Sequence, residues 1–216
     1  MAEASDLMFL RAAVELAEQG LYSTTPNPRV GCLIVRDGVV IGRGAHLWAG
    51  EPHAEVHALA AAGDASGATA YVSLEPCAHT GRTPPCVEAL ITANVRRVVA
   101  AMGDPDPRVS GEGFARLRAA GIRAELKPLP EAEALNEGFS KRVREGRPFV
   151  RLKVAQSLDG RTAMASGESR WITGEAARAD VQYWRARGCA ILPRSGTLLA
   201  HEPPLPLRGR RFAVGG

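Results

Sequence analysis

One histidine, one glutamate and two cysteines carry the chemistry open to this chain: His53-Ala54-Glu55, then Pro76-Cys77, then Pro85-Cys86. An imidazole and two thiolates together suit zinc better than magnesium or calcium. Structural zinc sites close with four nitrogen or sulfur ligands, whereas catalytic ones take three from the protein and leave the fourth position to water or substrate. Three ligands of the right type therefore point to catalysis. Zinc lowers the pKa of the water it binds, and a carboxylate within reach can carry protons to a leaving group. Glu55 is that carboxylate, because His-x-Glu followed by Pro-Cys-x-x-Cys, whose second half is stretched here, is the signature of zinc deaminases, in which the glutamate is acid/base and not a ligand. His53 and His57 stand four apart, as in the His-Glu-x-x-His of zinc proteases, but there the glutamate directly follows the first histidine. His57 is accordingly read as a packing residue and Cys32, inside an apolar run, as core. The competing reading is a structural zinc closed by one of these two, which leaves Glu55 without a task.

These residues need elements to bring them together. Ser5-Asp6 predicts the cap of a first helix, with Leu7, Leu10, Val14 and Ala17 on its apolar face and Gly20 at its end. Residues 24–29 read as a turn that presents Asn27 between two prolines, and residues 30–35 and 39–41 read as a hairpin around Asp37-Gly38. Pro52 predicts the start of a helix to about Ala62, with His53 in its first turn. Residues 68–74 form an apolar run read as a strand delivering Cys77 at its carboxyl end, where open sheets hold their ligands. Pro84-Pro85 starts a helix at Cys86, where free N–H groups favour a thiolate. A strand at 95–102, a loop carrying Asp104 and Asp106, a helix at 113–120, a strand at 122–126 and a helix at 130–143 continue the alternation. That alternation implies a three-layer α/β/α domain over residues 1–147, with 148–216 as a second segment after the polar hinge Arg144-Glu145-Gly146-Arg147-Pro148. In that segment residues 150–155 read as a strand and 175–187 as a helix.

Composition removes other classes. The chain has 216 residues, 45% of them hydrophobic, and no apolar run approaches the ~20 residues that span a bilayer. Met1-Ala2-Glu3-Ala4-Ser5-Asp6 lacks the positive start of a signal peptide, so a cytoplasmic protein with no membrane partner and reduced Cys32 and Cys189 is expected. The net charge of +4 is spread over Lys141, Arg142, Arg144, Arg147, Arg151 and Lys153 and a tail with Arg208, Arg210 and Arg211. With only 5% aromatic residues to stack bases, it speaks against nucleic acid and fits a phosphorylated small substrate.

The two cysteines are separated by Ala78-His79-Thr80-Gly81-Arg82-Thr83-Pro84-Pro85, a longer insert than the two residues of the short deaminase signature. With Pro26-Asn27-Pro28-Arg29-Val30-Gly31-Cys32 and Gly50-Glu51-Pro52-His53-Ala54-Glu55-Val56-His57-Ala58-Leu59, this string resembles the bifunctional riboflavin-biosynthesis deaminase/reductase family. The resemblance implies a cytidine-deaminase-like domain that holds Zn2+ on His53, Cys77 and Cys86. It implies Asn27, His46, His79 and Arg82 against a ribosylaminopyrimidine 5′-phosphate. It continues through Lys153, Ser157-Leu158-Asp159-Gly160-Arg161-Thr162-Ala163 and Gly167-Glu168-Ser169-Arg170-Trp171-Ile172-Thr173 into the opening of a dihydrofolate-reductase-like domain that uses NADPH. There it implies Ser169 and Arg185 at the substrate and Ala155, Trp171 and Thr197 at the dinucleotide. The family's Leu-Ala-Asp-Asp-Pro is here Leu199-Ala200-His201-Glu202-Pro203, and residues 149–216 fall short of the ~100–150 residues of a typical domain. The expectation is a working deaminase followed by an incomplete α/β reductase segment, whose exposed apolar surface invites homo-oligomerisation. A deaminase of another nucleoside, base or RNA is the alternative enzyme.

Overall fold

A computed structural model describes residues 2–80 and 84–193, and the chain divides into two units, Met1–Phe149 and Val150–Gly216. In the first, Asp37 and Gly38 take φ of 50° and 78°, the left-handed pair that a tight hairpin requires. They join β1 (Gly31–Arg36) to β2 (Val39–Ala45). Three more strands, β3 (Thr69–Val72), β4 (Arg97–Ala100) and β5 (Arg123–Leu126), complete a sheet of order β2-β1-β3-β4-β5. Strand β1 is antiparallel to both neighbours, while β3, β4 and β5 run parallel.

Helix α1 (Ala2–Ala17) packs on one face with α5 (Pro130–Leu135), and α2 (Ala54–Ala62) and α3 (Cys86–Thr92) cover the other, giving the three-layer α/β/α domain expected. Helix α4 (Glu112–Ala119) lies against β5 and α3. Leu10, Ala13 and Ala17 of α1, Cys32 to Ile34 of β1 and Val98 to Ala100 of β4 are at most 1% exposed and form the core. No helix among the described residues is long and apolar enough to cross a membrane.

Three expectations are corrected here. Asp6 is not a cap: α1 starts upstream of it, and Asp6 is buried, accepting hydrogen bonds from Arg97 (2.9 and 2.7 Å), Lys127 (2.7 Å) and the Tyr71 hydroxyl (2.6 Å). The helix expected at 130–143 is two helices, α5 and α6 (Glu137–Glu145), parted at Asn136. Its fully buried side chain takes the N–H of Arg29 at 2.8 Å and donates to the carbonyl of the same residue at 2.9 Å. Residues 150–155 form no strand. Val150, Leu152 and Val154 stand 80%, 82% and 50% exposed, because a strand exists only with a hydrogen-bonded neighbour, and the described part of this unit contains no strand. Helix α7 (Glu175–Ala186) is present as expected.

Candidate active site

The reversed direction of β1 builds the site. Gly31 pairs with Ala45, and Cys32 with Val72, so the turn before β1, the loop after β2 and the loops after β3 and β4 all reach one rim of the sheet. Gly31 and Ser73 seal that rim: the Gly31 N–H donates to Ser73 Oγ and the Ser73 N–H to the Gly31 carbonyl, both at 3.0 Å.

Helix α2 is pressed to the rim by glycines. A Cβ on Gly42 or Gly44 would stand 2.2 Å from the carbonyl oxygen of Ala58 or Ala54, so only a strand without side chains at these positions lets the helix backbone sit so close. His53 proves to be the N-cap and not a first-turn residue: its backbone is extended, at φ −76° and ψ 166°. The turn into α2 follows immediately, and Glu55 falls in its first turn. Residues two apart on a regular helix point to different sides, and it is this extended cap that lets His53 and Glu55 serve one point.

The two cysteines meet them there. His53 Nδ1 lies 3.0 Å from Cys86 Sγ and 3.6 Å from Cys77 Sγ, and the three donor atoms all lie within 4.8 Å of one another. Tetrahedral zinc, with bonds of about 2.3 Å to sulfur and 2.0–2.1 Å to nitrogen, sets its donors ~3.5–3.8 Å apart, so the donor set fits zinc, with the His53–Cys77 pair at that spacing and the His53–Cys86 pair closer. Three protein donors leave the fourth corner open. Neither alternative fourth ligand joins them: His57 and Cys32 are outside the cluster.

The electrostatics are those of a dry carboxylate beside thiols. Glu55 is 3% exposed, and burial first, then the charge of Cys77, pushes its carboxyl above the ordinary range. The hydrogen bond between the two cysteine side chains holds Cys77 below the ordinary thiol range and Cys86 above it. The hydrogen bond to Cys77 raises His53.

Asn27 and His46 are joined directly. His46 is 2% exposed, with Nδ1 3.2 Å from the Pro52 carbonyl and Nε2 3.1 Å from Asn27 Nδ2. A carbonyl only accepts, so Nδ1 carries the proton and Nε2 accepts from the amide. Burial favours the neutral ring that this tautomer requires. Asn27, half-exposed, is the member of the pair that meets solvent, and His46 fixes which way its amide points.

His79 is exposed in the insert between the cysteines, and Asp104 and Asp106 both sense its charge. Arg82 lies outside the described residues. Glu75 was missed in the sequence. It is buried and accepts the N–H groups of Asp104, Gly111 and Gly113 at 3.0 to 3.1 Å; its one local signal is a charge where an apolar run meets Pro-Cys.

Residues 3–102 match the family described as the cytidine and deoxycytidylate deaminase zinc-binding region, and residues 148–212 match the RibD C-terminal domain. The riboflavin biosynthesis protein RibD of Escherichia coli is 58% identical over 205 residues, covering 94% of this chain and 56% of that one. The chain belongs to the RibD family. The Haemophilus influenzae RibD is 56% identical, with 96% of this chain and 56% of the relative covered, so the chain spans little more than half the length of these relatives. Among solved structures, Acinetobacter baumannii RibD superposes with a TM-score of 0.91 at 56% identity, over 95% of this chain and 58% of that one. A Thermotoga maritima diaminohydroxyphosphoribosylaminopyrimidine deaminase/5-amino-6-(5-phosphoribosylamino)uracil reductase gives 0.93 at 40% identity, over 98% and 62%.

In the unit matched by the RibD C-terminal domain, Ser169 and Trp171 come together on a cavity of about 360 Å³ that Ser157, Arg161, Met164 and Arg170 also line. The Arg178 guanidinium sits 4.4 Å over the Trp171 ring. Ala155 and Arg185 are not among the lining residues, and Thr197 lies outside the described residues. A cavity of this size is at the low end for small-molecule sites.

Proposed function

We propose that residues 1–147 are a zinc-dependent deaminase domain and 148–216 the opening part of a reductase domain. The deaminase converts 2,5-diamino-6-(ribosylamino)pyrimidin-4-one 5′-phosphate to 5-amino-6-(ribosylamino)uracil 5′-phosphate in riboflavin biosynthesis. The observation that carries the reading is the three-donor cluster of His53, Cys77 and Cys86 with the buried Glu55 beside it. The Thermotoga maritima relative's name supplies the substrate class. The reading places the protein in the cytoplasm, where thiols stay reduced.

His53, Cys77 and Cys86 hold the zinc, which when bound supplies a water activated at neutral pH. With zinc held there, Glu55 could take a proton from the attacking water and give it to the ring amine as the C–N bond breaks, so that ammonia would leave. The hydroxyl left on the ring carbon would pass its proton to the neighbouring ring nitrogen and become the carbonyl. A carboxyl held above the ordinary range by burial suits both directions of transfer near neutral pH. Asn27 presents its amide to the pyrimidine in the orientation that His46 imposes, and His79 and Arg82 serve the ribosyl phosphate.

Ammonia release from this substrate by the zinc-loaded protein, with Glu55→Gln beside it, tests the assignment. The parent should turn over, and the variant should keep one zinc yet lose about 10²–10⁴ in rate, the worth of a positioned acid/base. A zinc-bearing parent that releases no ammonia, or a Glu55→Gln protein as fast as its parent, refutes it.

A further inference from the structure

Glu75 lies three residues beyond β3 and two before Cys77, and is 5% exposed. One oxygen, Oε2, accepts from Asp104 and Gly111, each at 3.1 Å, and the other, Oε1, accepts from Gly113 at 3.0 Å. Gly111 and Gly113 flank the first residue of α4, whose own N-cap offers no side-chain hydrogen bond. A carboxylate from another element thus satisfies the N–H groups that every helix start leaves open.

Helix α4 reaches back to the cysteines at three points. A Cβ on Gly113 would stand 2.1 Å from the Pro76 carbonyl, so the helix start rests on the peptide just before Cys77. One turn later Arg116 Nη1 donates to the carbonyl of Ala78, the residue after Cys77, at 2.5 Å. Its Nη2 pairs with Glu88 at 2.7 Å, in the first turn of the helix that Cys86 opens. Between the two ligands themselves the Cys86 N–H donates to the Cys77 sulfur at 3.3 Å. Helix α4 therefore holds the chain on both sides of one thiolate and the helix of the other, and Glu75 holds α4.

We propose that Glu75 is a positioning residue for the thiolate half of the metal centre: by fixing the start of α4 it sets how Cys77 and Cys86 stand to each other. The inference rests on the zinc reading above. Glutamine at this position keeps the volume but not the function, since both oxygens accept and either orientation turns an NH2 group onto a backbone donor. Losing such support around a metal ligand typically weakens the site about 10- to 100-fold.

The test compares zinc-loaded parent, Glu75→Gln and Arg116→Ala by zinc stoichiometry, rate of zinc transfer to a chromogenic chelator, the spectrum of the cobalt-substituted protein, and thermal midpoint. Both variants should release zinc faster than the parent, by about 10- to 100-fold for Glu75→Gln, with altered cobalt bands. If Glu75→Gln does not fold, Arg116→Ala, whose side chain is half-exposed, decides alone. Parental release rates in the folded variants overturn the inference, as does a lowered midpoint with release and spectrum unchanged, which would make Glu75 a helix cap only. A parent that binds no zinc would remove the metal reading itself and this inference with it.

Discussion

Replacing Asp6 by alanine removes the carboxylate on which α1 and three strands converge. Tyr71 reaches it from β3, Arg97 from β4 and Lys127 from just beyond β5, at 2.6 to 2.9 Å, with Asp6 2% exposed. Removing one partner of a buried ion pair costs ~3–5 kcal/mol, because the surviving charges are left uncompensated. Here Arg97 retains Glu125 at 3.0 Å, and the side chains of Arg97 and Lys127 are 17% and 23% exposed. The lower end of that range, about 3 kcal/mol, is therefore expected. At roughly 2–4 °C per kcal/mol for a chain of this length, the thermal midpoint should fall by about 6–12 °C. Burial alone would raise the Asp6 carboxyl, but Arg97, Lys127 and the Tyr71 hydroxyl outweigh it and hold the group well below the ordinary range. A carboxyl depressed in the folded state contributes stability that is complete above its unfolded pKa, near ~3.9, and lost as pH falls toward the folded value. The gap between parent and Asp6→Ala should thus stay constant from neutral pH down to about 5 and narrow only below about 4. Circular dichroism melts of the zinc-loaded proteins at pH 7, with urea unfolding across that range, measure both. Midpoints within ~1 °C at pH 7, or a gap that closes well above pH 5, would refute the reasoning.

His46→Gln and His46→Asn separate the two ring nitrogens, since the longer amide reaches the place of Nε2 and the shorter one that of Nδ1. If orienting Asn27 is the task, ammonia release by the Gln variant should stay within about tenfold of the parent and the Asn variant should lose about 10²-fold in kcat/KM, the usual cost of a misplaced contact; equal losses would contradict it. Gly44→Ala would set a methyl group 2.2 Å from the Ala54 carbonyl oxygen and 2.4 Å from the Ala58 nitrogen, so α2 must lift. A loss of ~1–3 kcal/mol in urea unfolding is expected, together with weaker zinc retention, and an unchanged unfolding curve would show that the helix yields freely.

The metal cluster could be read from the chain because each ligand sits at an element boundary that a proline marks: Pro52 before His53, Pro76 before Cys77, Pro85 before Cys86. The hairpin was equally plain, since Asp37-Gly38 is a local requirement for positive φ. Asp6 misled because a cap and a buried acceptor look alike without knowledge of what lies opposite, and its partners are 65, 91 and 121 residues away. Asn136 was hidden for the same reason: its position within an apolar period suits a continuous helix, and only Arg29, 107 residues upstream, explains why the helix breaks there. Residues 150–155 were read as a strand from their β-branched residues alone, but a strand is a relation between two segments and the pattern describes one.

The bond from Asn136 to Arg29 also has a consequence in time. The turn bearing Asn27 is anchored by a residue made 107 positions later, and at ~5–20 residues per second that interval on the ribosome is about 5–20 s. Within it His53, Glu55, Cys77 and Cys86 are all made, Cys86 last and still ahead of Asn136, so the full donor set can be present before the Asn27 turn is anchored. A ribosome stalled before Asn136 would display a chain that carries all three donors and whose Asn27 turn lacks this anchor.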